Sequence, residues 1–341
     1  MPESDADLAS QPTLSRLENA VDARTCYRLA LALLDVYLRE RDHEGIPKHI
    51  LLDVDSTDDP AHGDQEGTAY HGYFRQHMYH PLLVFDGDTG QLITALLRSG
   101  NAHSSRNAVA LLCRLVRAIR ARWPGVRIEL RADSGFAVPP LYDYCEREGI
   151  TYTIGLVPNS RLEALAAPLL AEAVAQQKQT GTDKVRLAGE AGYAADSWPH
   201  FRRVVFKAEA LAKGPNTRFV ATNRTDEPLA LYDYYVQRGE SEKRIKDFKL
   251  ACFADRLSCH SFAANQFRLL LHAAAYWLLD TLRRRLIHKG VAPLQLDTLR
   301  LLLIKIGGRV RELIAKVRLH LASSHPAQHL WSLLAAPPAH S

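Results

Sequence analysis

Asp55, Asp133 and Glu242 are the residues whose types and settings suit chemistry at a phosphodiester. Asp55 closes the apolar run of "LLDVDST", Asp133 closes that of "VRIELRADSGF", and Glu242 lies in "YYVQRGESEKRIKDFK". Taken singly, an acid at a strand end is an ordinary turn former or helix cap. Together, two strands and a helix would supply three hard oxygen ligands, which suit a pair of Mg²⁺ or Mn²⁺ ions. Such a pair stabilises the attacking and leaving oxygens of an in-line displacement. Asp53 lies two residues before Asp55, hence on the same strand face, and is a competing ligand. Asp58 and Asp59 read as loop acids or as supports behind the ligands.

The segment that carries Glu242 has a second regularity. Tyr235, Arg238, Glu242 and Lys249 follow one another at steps of three, four and seven. At about 100° per residue they fall within roughly 60° of one another on a single helix. A stripe facing a hydrophobic core should be apolar; this one holds two cations, a carboxylate and a phenol. Glu242 would reach a metal, while Arg238 and Lys249 would hold backbone phosphates, the first as a fork and the second as a point charge. Tyr235 would donate to a phosphate or stack on a base. A surface helix laced with i,i+4 ion pairs such as Arg238–Glu242 accounts for the helix but not for two aspartates on strands.

Such side chains need a rigid frame, and the hydrophobic patterning provides one. Residues 1 to about 20 are polar and read as a loose leader. "TCYRLALALLDVYLRERDH" has helical periodicity, "HILLDVDST" reads as a strand, and "YHPLLVFDGDTGQLITALLRSG" as two strands around a Gly-Asp turn. An amphipathic helix over "SSRNAVALLCRLVRAIRARWPG" precedes the Asp133 strand, the short helix "PPLYDYCEREGI" and the strand "TYTIGLV". The order β-β-β-α-β-α-β predicts an α/β fold, a mixed sheet with helices on its faces. The expected divisions are a helical segment over 1–46, the first part of the core over 47–157, a β-rich insertion over 158–226, a catalytic helix completing the core over 227–260, and a helical C-terminal region over 261–341.

The composition, 47% hydrophobic and 24% charged, is that of a folded chain and excludes wholesale disorder. The net charge of +5 says little by itself, but ten Lys or Arg stand against two acids between Thr281 and His320. A region of that kind suits a phosphate backbone. Five scattered cysteines form no CxxC pair, and no export signal or membrane-length apolar run occurs. A reduced, cytoplasmic protein is expected. His71, His77 and His80 fit no common zinc spacing, and their segment reads as a hairpin lying near DNA. Trp198 reads as a partly buried core residue, with stacking on an unpaired base as its alternative. Asn265 and Arg268 open the long C-terminal helix within reach of DNA or as ordinary helix-start residues.

"DVDST", "RADSGF" and Tyr235-x2-Arg238-x3-Glu242-x6-Lys249 resemble the DDE motifs of bacterial insertion-sequence transposases, in the group marked by a Y-R-E-K helix. "NRTDEPLALYDYYVQRGESEKRIKDFK" and "ANQFRLLLHAAAYWLL" resemble the same group, and the likeness runs from roughly residue 8 to residue 320. The resemblance implies an RNase H-like core with the two aspartates on adjacent central strands and an insertion between the second aspartate and the glutamate. It implies metal-dependent cleavage of DNA at terminal inverted repeats, then attack of the freed 3′-hydroxyl on target DNA. Asp55, Asp133 and Glu242 would be the metal ligands, with two Mg²⁺ or Mn²⁺ ions per site. Tyr235, Arg238 and Lys249 would position phosphates and DNA ends. The expected partners are DNA and a second copy of the chain, with no membrane, and the expected place is the nucleoid.

Members of this group carry a helical region ahead of the segment resembling "LASQPTLSRLEN", which here falls within the first twenty residues. The chain is therefore expected to be shortened at its N-terminus. Two other readings follow: a non-catalytic DNA-binding remnant that competes with full-length transposase, and a nuclease for structured DNA that makes no strand transfer.

Overall fold

The computed structural model describes residues 9–335. Helices α1 (Gln11–Asn19) and α2 (Ala23–His43) precede the first long strand, β1 (His49–Ser56). Strand β2 (Asp59–Pro60) and the hairpin β3 (Ala69–His71) and β4 (Gln76–Tyr79) make a small sheet of order β2-β4-β3. Then come β5 (Leu82–Asp86), β6 (Leu92–Leu96), α3 (Ala108–Arg122), β7 (Arg127–Ala132), α4 (Pro139–Arg147), β8 (Thr151–Leu156) and α5 (Ser160–Thr180). Strands β9 (Lys184–Tyr193), β10 (Arg202–Leu211) and β11 (Gly214–Thr222) follow, then α6 (Pro228–Val236), α7 (Gly239–Cys252), α8 (Phe262–His288) and α9 (Leu296–Leu303). The hairpin β12 (Gly308–Leu313) and β13 (Lys316–Leu321) and the helix α10 (Gln328–Ala335) end the described chain.

The expected mixed sheet is present. Its order is β6-β5-β1-β7-β8-β11-β10-β9; β1, β7 and β8 run parallel to one another, and the remaining neighbours are antiparallel. The three-stranded meander followed by α/β alternation yields the half of the sheet from β6 through β8. The β-rich segment does not stand apart. Phe219–Thr222 of β11 pairs with Thr153–Leu156 of β8, so both halves share one ladder of backbone hydrogen bonds.

Alternation along β1 divides the fold. Ile50, Leu52 and Val54 point into an apolar core completed by α2, α3, α4 and the like-facing residues Ile128, Leu130 and Ala132 of β7. Leu51, Asp53 and Asp55 point to the opposite face. There Leu83 and Phe85 of β5 and Leu92 of β6 pack on α7, α8 and α9 in a second core. A smaller cluster seats Leu231 and Tyr232 of α6 on Val205 of β10 and Val220 of β11. Strands β10 and β11 thus carry the helix that leads into Arg238 and Glu242.

Three expectations need correction. Residues 11–19 of the supposed leader form α1, started by Pro12 in its first turn, where a missing amide costs nothing; residues 1–8 lie outside the described residues. The C-terminal region is helical except for β12–β13, whose alternating cations and apolar residues have a period of two that suits a ribbon and no helix face. The helix expected through Tyr235 to Lys249 is two helices. Gln237 and Arg238 keep right-handed helical dihedrals. The amides of Arg238, Glu240 and Ser241, however, bond to carbonyls three residues back, and the Ser241 hydroxyl donates to the Arg238 carbonyl at 2.8 Å. This tighter turn separates Tyr235 from the other three.

Candidate active site

Strand register brings the first two carboxylates together. Asp53 lies opposite Arg131 and Val54 opposite Ala132 in the parallel pair β1–β7. The next residue on each strand is Asp55 and Asp133, on one sheet face and on chains about 4.8 Å apart. Asp55 is buried. Its Oδ1 accepts from the Ser56 amide at 2.8 Å, and its Oδ2 accepts from Arg238 Nη1 at 3.0 Å and from the Ser241 hydroxyl at 3.2 Å. Burial pushes its pKa up to about 6; the Arg238 charge opposes this and the Asp133 charge adds to it. Asp133 is half-buried and caps the short turn Ser134–Phe136, accepting from the Gly135 amide at 2.9 Å.

Glu242 stands differently. It lies in the first turn of α7 with its side chain 64% exposed, and its Oε1 accepts from Arg238 Nη2 at 2.7 Å. Arg238 therefore joins Glu242 to Asp55. Among the described residues, no three His, Cys, Asp or Glu side chains are drawn together tightly enough to hold a metal ion. The donor set nevertheless suits a hard divalent cation. It offers two carboxylates side by side at strand ends, one of them pushed up in pKa partly by the other, and a third linked to the first by a guanidinium cation.

Tyr235 lies in the last turn of α6, beside Asp133, Asp55 and Arg238, and burial raises its phenol above the ordinary range. Its hydroxyl rests against Gly155 of β8, where a methyl group would collide with it. Lys249, seven residues and about 10 Å along α7 from Glu242, donates to Asp58 Oδ1 at 2.7 Å. Burial raises the Asp58 carboxyl, but the Lys249 hydrogen bond and charge outweigh it and leave the pKa lowered.

Asp53, the competing ligand, is already engaged. It is fully buried, its two oxygens accept from Arg131 Nε and Nη2 at 2.7 and 2.8 Å, and Arg244 Nη1 lies 3.4 Å away. Arg244 also donates to the carbonyls of Asp86 and Gly87, and Arg131 to that of Tyr234. This buried group ties β1, β7, the β5–β6 turn, α6 and α7 into one frame. Ser241, Arg131 and Arg244 were not singled out from the sequence. The Asp-x-Asp and Arg-x-Asp spacings of residues 53–55 and 131–133 signal the frame, since strand period two puts both pairs on one face.

Another unanticipated element is Arg98, a buried guanidinium donating to the carbonyls of His80, Ser104 and Arg106 at 2.8, 2.6 and 2.8 Å. It fixes the loop that brings Ser104 within 3.3 Å of the Ser56 hydroxyl and against Gly135. Asp59 is buried with neither carboxylate oxygen hydrogen-bonded, and burial followed by the Asp255 charge pushes it up to about 8. Trp198 takes its core reading, packed edge-on to Tyr142 and Tyr193. Asn265 is buried, bonding Tyr79 and the Cys259 backbone, and Arg268 bonds Ser258 and pairs with Glu18. The five cysteines are all free thiols.

Residues 1–337 match the family model of the Transposase DDE domain group 1. The chain belongs to this transposase family. A similar solved structure is the piggyBac transposase, seen by cryo-EM in a synaptic complex with hairpin DNA; it is 13% identical, with a TM-score of 0.47 over 86% of this chain. The chain spans 58% of the length of that transposase. No curated protein matches the sequence. Among the described residues of this transposase-family chain, no helix is long and apolar enough to cross a membrane.

Proposed function

We propose that this chain is a cut-and-paste transposase: a metal-dependent enzyme that cleaves DNA at the ends of its element and joins the freed 3′-hydroxyl to target DNA. The observation that carries the reading is that Asp55, Asp133, Tyr235 and Arg238 converge at the ends of two adjacent parallel strands, with Glu242 one guanidinium away. Asp55, Asp133 and Glu242 are taken as the ligands of two Mg²⁺ or Mn²⁺ ions, which supply charge neutralisation at the attacking and leaving oxygens when bound.

The remaining residues bind and align. Arg238 offers a planar fork suited to a phosphate oxygen pair, and Lys249, held by Asp58, a point charge further along α7. Tyr235 presents a phenol that keeps its proton and so donates to a phosphate. Ser241 and Ser56 hold Asp55 in one orientation; Asp53, Arg131 and Arg244 hold α7 over the strand ends. Phosphoryl chemistry depends on alignment of this kind together with charge stabilisation. The reading treats residues 158–226 as an insertion between Asp133 and Glu242, and residues 47–157 with 227–260 as the core it interrupts. Bringing two element ends together calls for two copies of the chain on DNA, acting in the cytoplasm at the nucleoid.

A second reading, DNA binding without cleavage, draws on the separation of Glu242 from the aspartates. The deciding experiment is cleavage of a labelled DNA end from the element's own flank, with Mg²⁺ and with Mn²⁺, by the wild-type chain and by Glu242→Ala. Metal-dependent cutting that disappears in the variant supports the transposase reading. Binding without cutting by either protein leaves the second reading standing, and cut but never joined strands would indicate a nuclease.

A further inference from the structure

The ten cations between Thr281 and His320 are not equivalent in the fold. Arg283 is neutralised by Asp280 and Asp247, Arg284 by Asp280, Glu40 and Glu44, and the Arg300 guanidinium lies over the Phe253 ring. Those charges serve the packing of α8 and α9. Arg309, Arg311, Lys316 and Arg318 belong to the β12–β13 hairpin, every residue of which is exposed, and none of the four pairs with a carboxylate of the described residues.

Register sorts the hairpin into two faces. Arg309 pairs across the strands with His320, Arg311 with Arg318, and Leu313 with Lys316. Val310 with Leu319 and Glu312 with Val317 occupy the opposite face, so the one acid of the hairpin lies away from the cations. Arg311 directly opposite Arg318 is a like-charge pair, which costs stability on a ribbon, and a lone two-stranded hairpin is marginal in water to begin with. The arrangement makes sense when an anion lies on that face.

We propose that the basic face of β12–β13 binds the phosphate backbone of duplex DNA. A strand of six residues spans about 20 Å, several phosphate spacings, and a two-stranded ribbon fits the major groove. Arg309, Arg311 and Arg318 supply forks and Lys316 a point charge. The contact is set mainly by charge, so it grips DNA of any sequence while the carboxylate site acts. It rests on the transposase reading but assigns DNA contact to an element outside the carboxylate site.

The test is titration of a labelled duplex with the full chain over a range of salt concentrations, comparing wild type with the R309Q/R311Q/K316Q/R318Q variant. Leu319→Thr, on the other face, serves as the control. The expected result is a log affinity against log salt slope shallower by about 3 to 4, with affinity at physiological salt lower by roughly tenfold or more, and an unchanged Leu319→Thr. All four positions are exposed and Arg311 faces a like charge, so the thermal midpoint should not fall. A variant that binds like wild type overturns the proposal and leaves the transposase reading intact. Unchanged DNA binding with an altered oligomeric state assigns the hairpin to a protein interface and also overturns it. A wild-type chain with no salt-dependent affinity for DNA removes both.

Discussion

One guanidinium, that of Arg238, holds Asp55 at 3.0 Å and Glu242 at 2.7 Å, linking a strand end to a residue about one helical turn further along the chain. It is a cation placed among carboxylates that suit a metal, so the two compete. Arg238→Gln is expected to bind Mn²⁺ more tightly than wild type in the absence of DNA, by about 1 kcal/mol or roughly fivefold. Free Mn²⁺ measured by electron paramagnetic resonance during titration checks it. Equal affinities would mean that the guanidinium does not compete for the carboxylates.

Asp53 and Asp55, two residues apart, should fail in different ways. Asp53→Asn leaves Arg131 buried without its charge partner, and breaking such a pair costs about 3–5 kcal/mol. Asp55→Asn removes a carboxylate that burial already penalises, and should leave the fold at least as stable while abolishing cleavage. Urea midpoints beside cleavage assays separate the two; a stable Asp53→Asn protein would show the frame to be dispensable.

Gly155 is the seat of Tyr235. Gly155→Ala should drive the phenol from Asp133 and lower cleavage by on the order of 10–100-fold, because displacement of about 1 Å is costly in an aligned site. The double variant with Tyr235→Phe should be little worse than Gly155→Ala alone. Full additivity of the two losses would place the effect elsewhere in β8.

Asp59 supplies a pH test. Its folded pKa, about 8, lies above the unfolded value of 3.8, so its contribution to stability is fully present below pH 3.8 and is lost as pH rises through 8. Asp59→Asn should therefore gain on wild type progressively between about pH 4 and pH 8 and then level off. The gain should reach on the order of 5 kcal/mol by pH 8. Unfolding midpoints at pH 4.5, 6, 7.5 and 9 follow the difference; a constant offset would show that the carboxyl does not titrate in this window.

Much of this arrangement was legible in the sequence because strand patterning is local. The runs ending at Asp55 and Asp133, the meander and the α/β alternation all rest on period-two and helical spacings that tertiary contacts reinforce. What escaped depends on long-range pairing. The Arg-x-Asp spacing puts Arg131 on the Asp133 face, but nothing near Arg244 announces that it too meets Asp53, and Arg98 reaches its carbonyls only after the loop has folded. The turn between α6 and α7 is held by three backbone bonds to carbonyls three residues back and by the Ser241 hydroxyl, which helical spacing cannot register. The C-terminal hairpin was readable from its alternation, but the surrounding helical pattern and the count of cations masked it.

The pairing of β11 with β8 has a consequence for how this protein tolerates loss. Among the described strands, β8 has β7 on one side and only β11, with β10 and β9 beyond it, on the other. Cutting out β9–β11 would not trim an accessory domain. It would bare an interior strand whose amides and carbonyls invite another chain, and would strip α6 of the surface on which it rests. Internal deletions there should yield insoluble protein, so the segment between Asp133 and Glu242 can vary in its loops but cannot be shed.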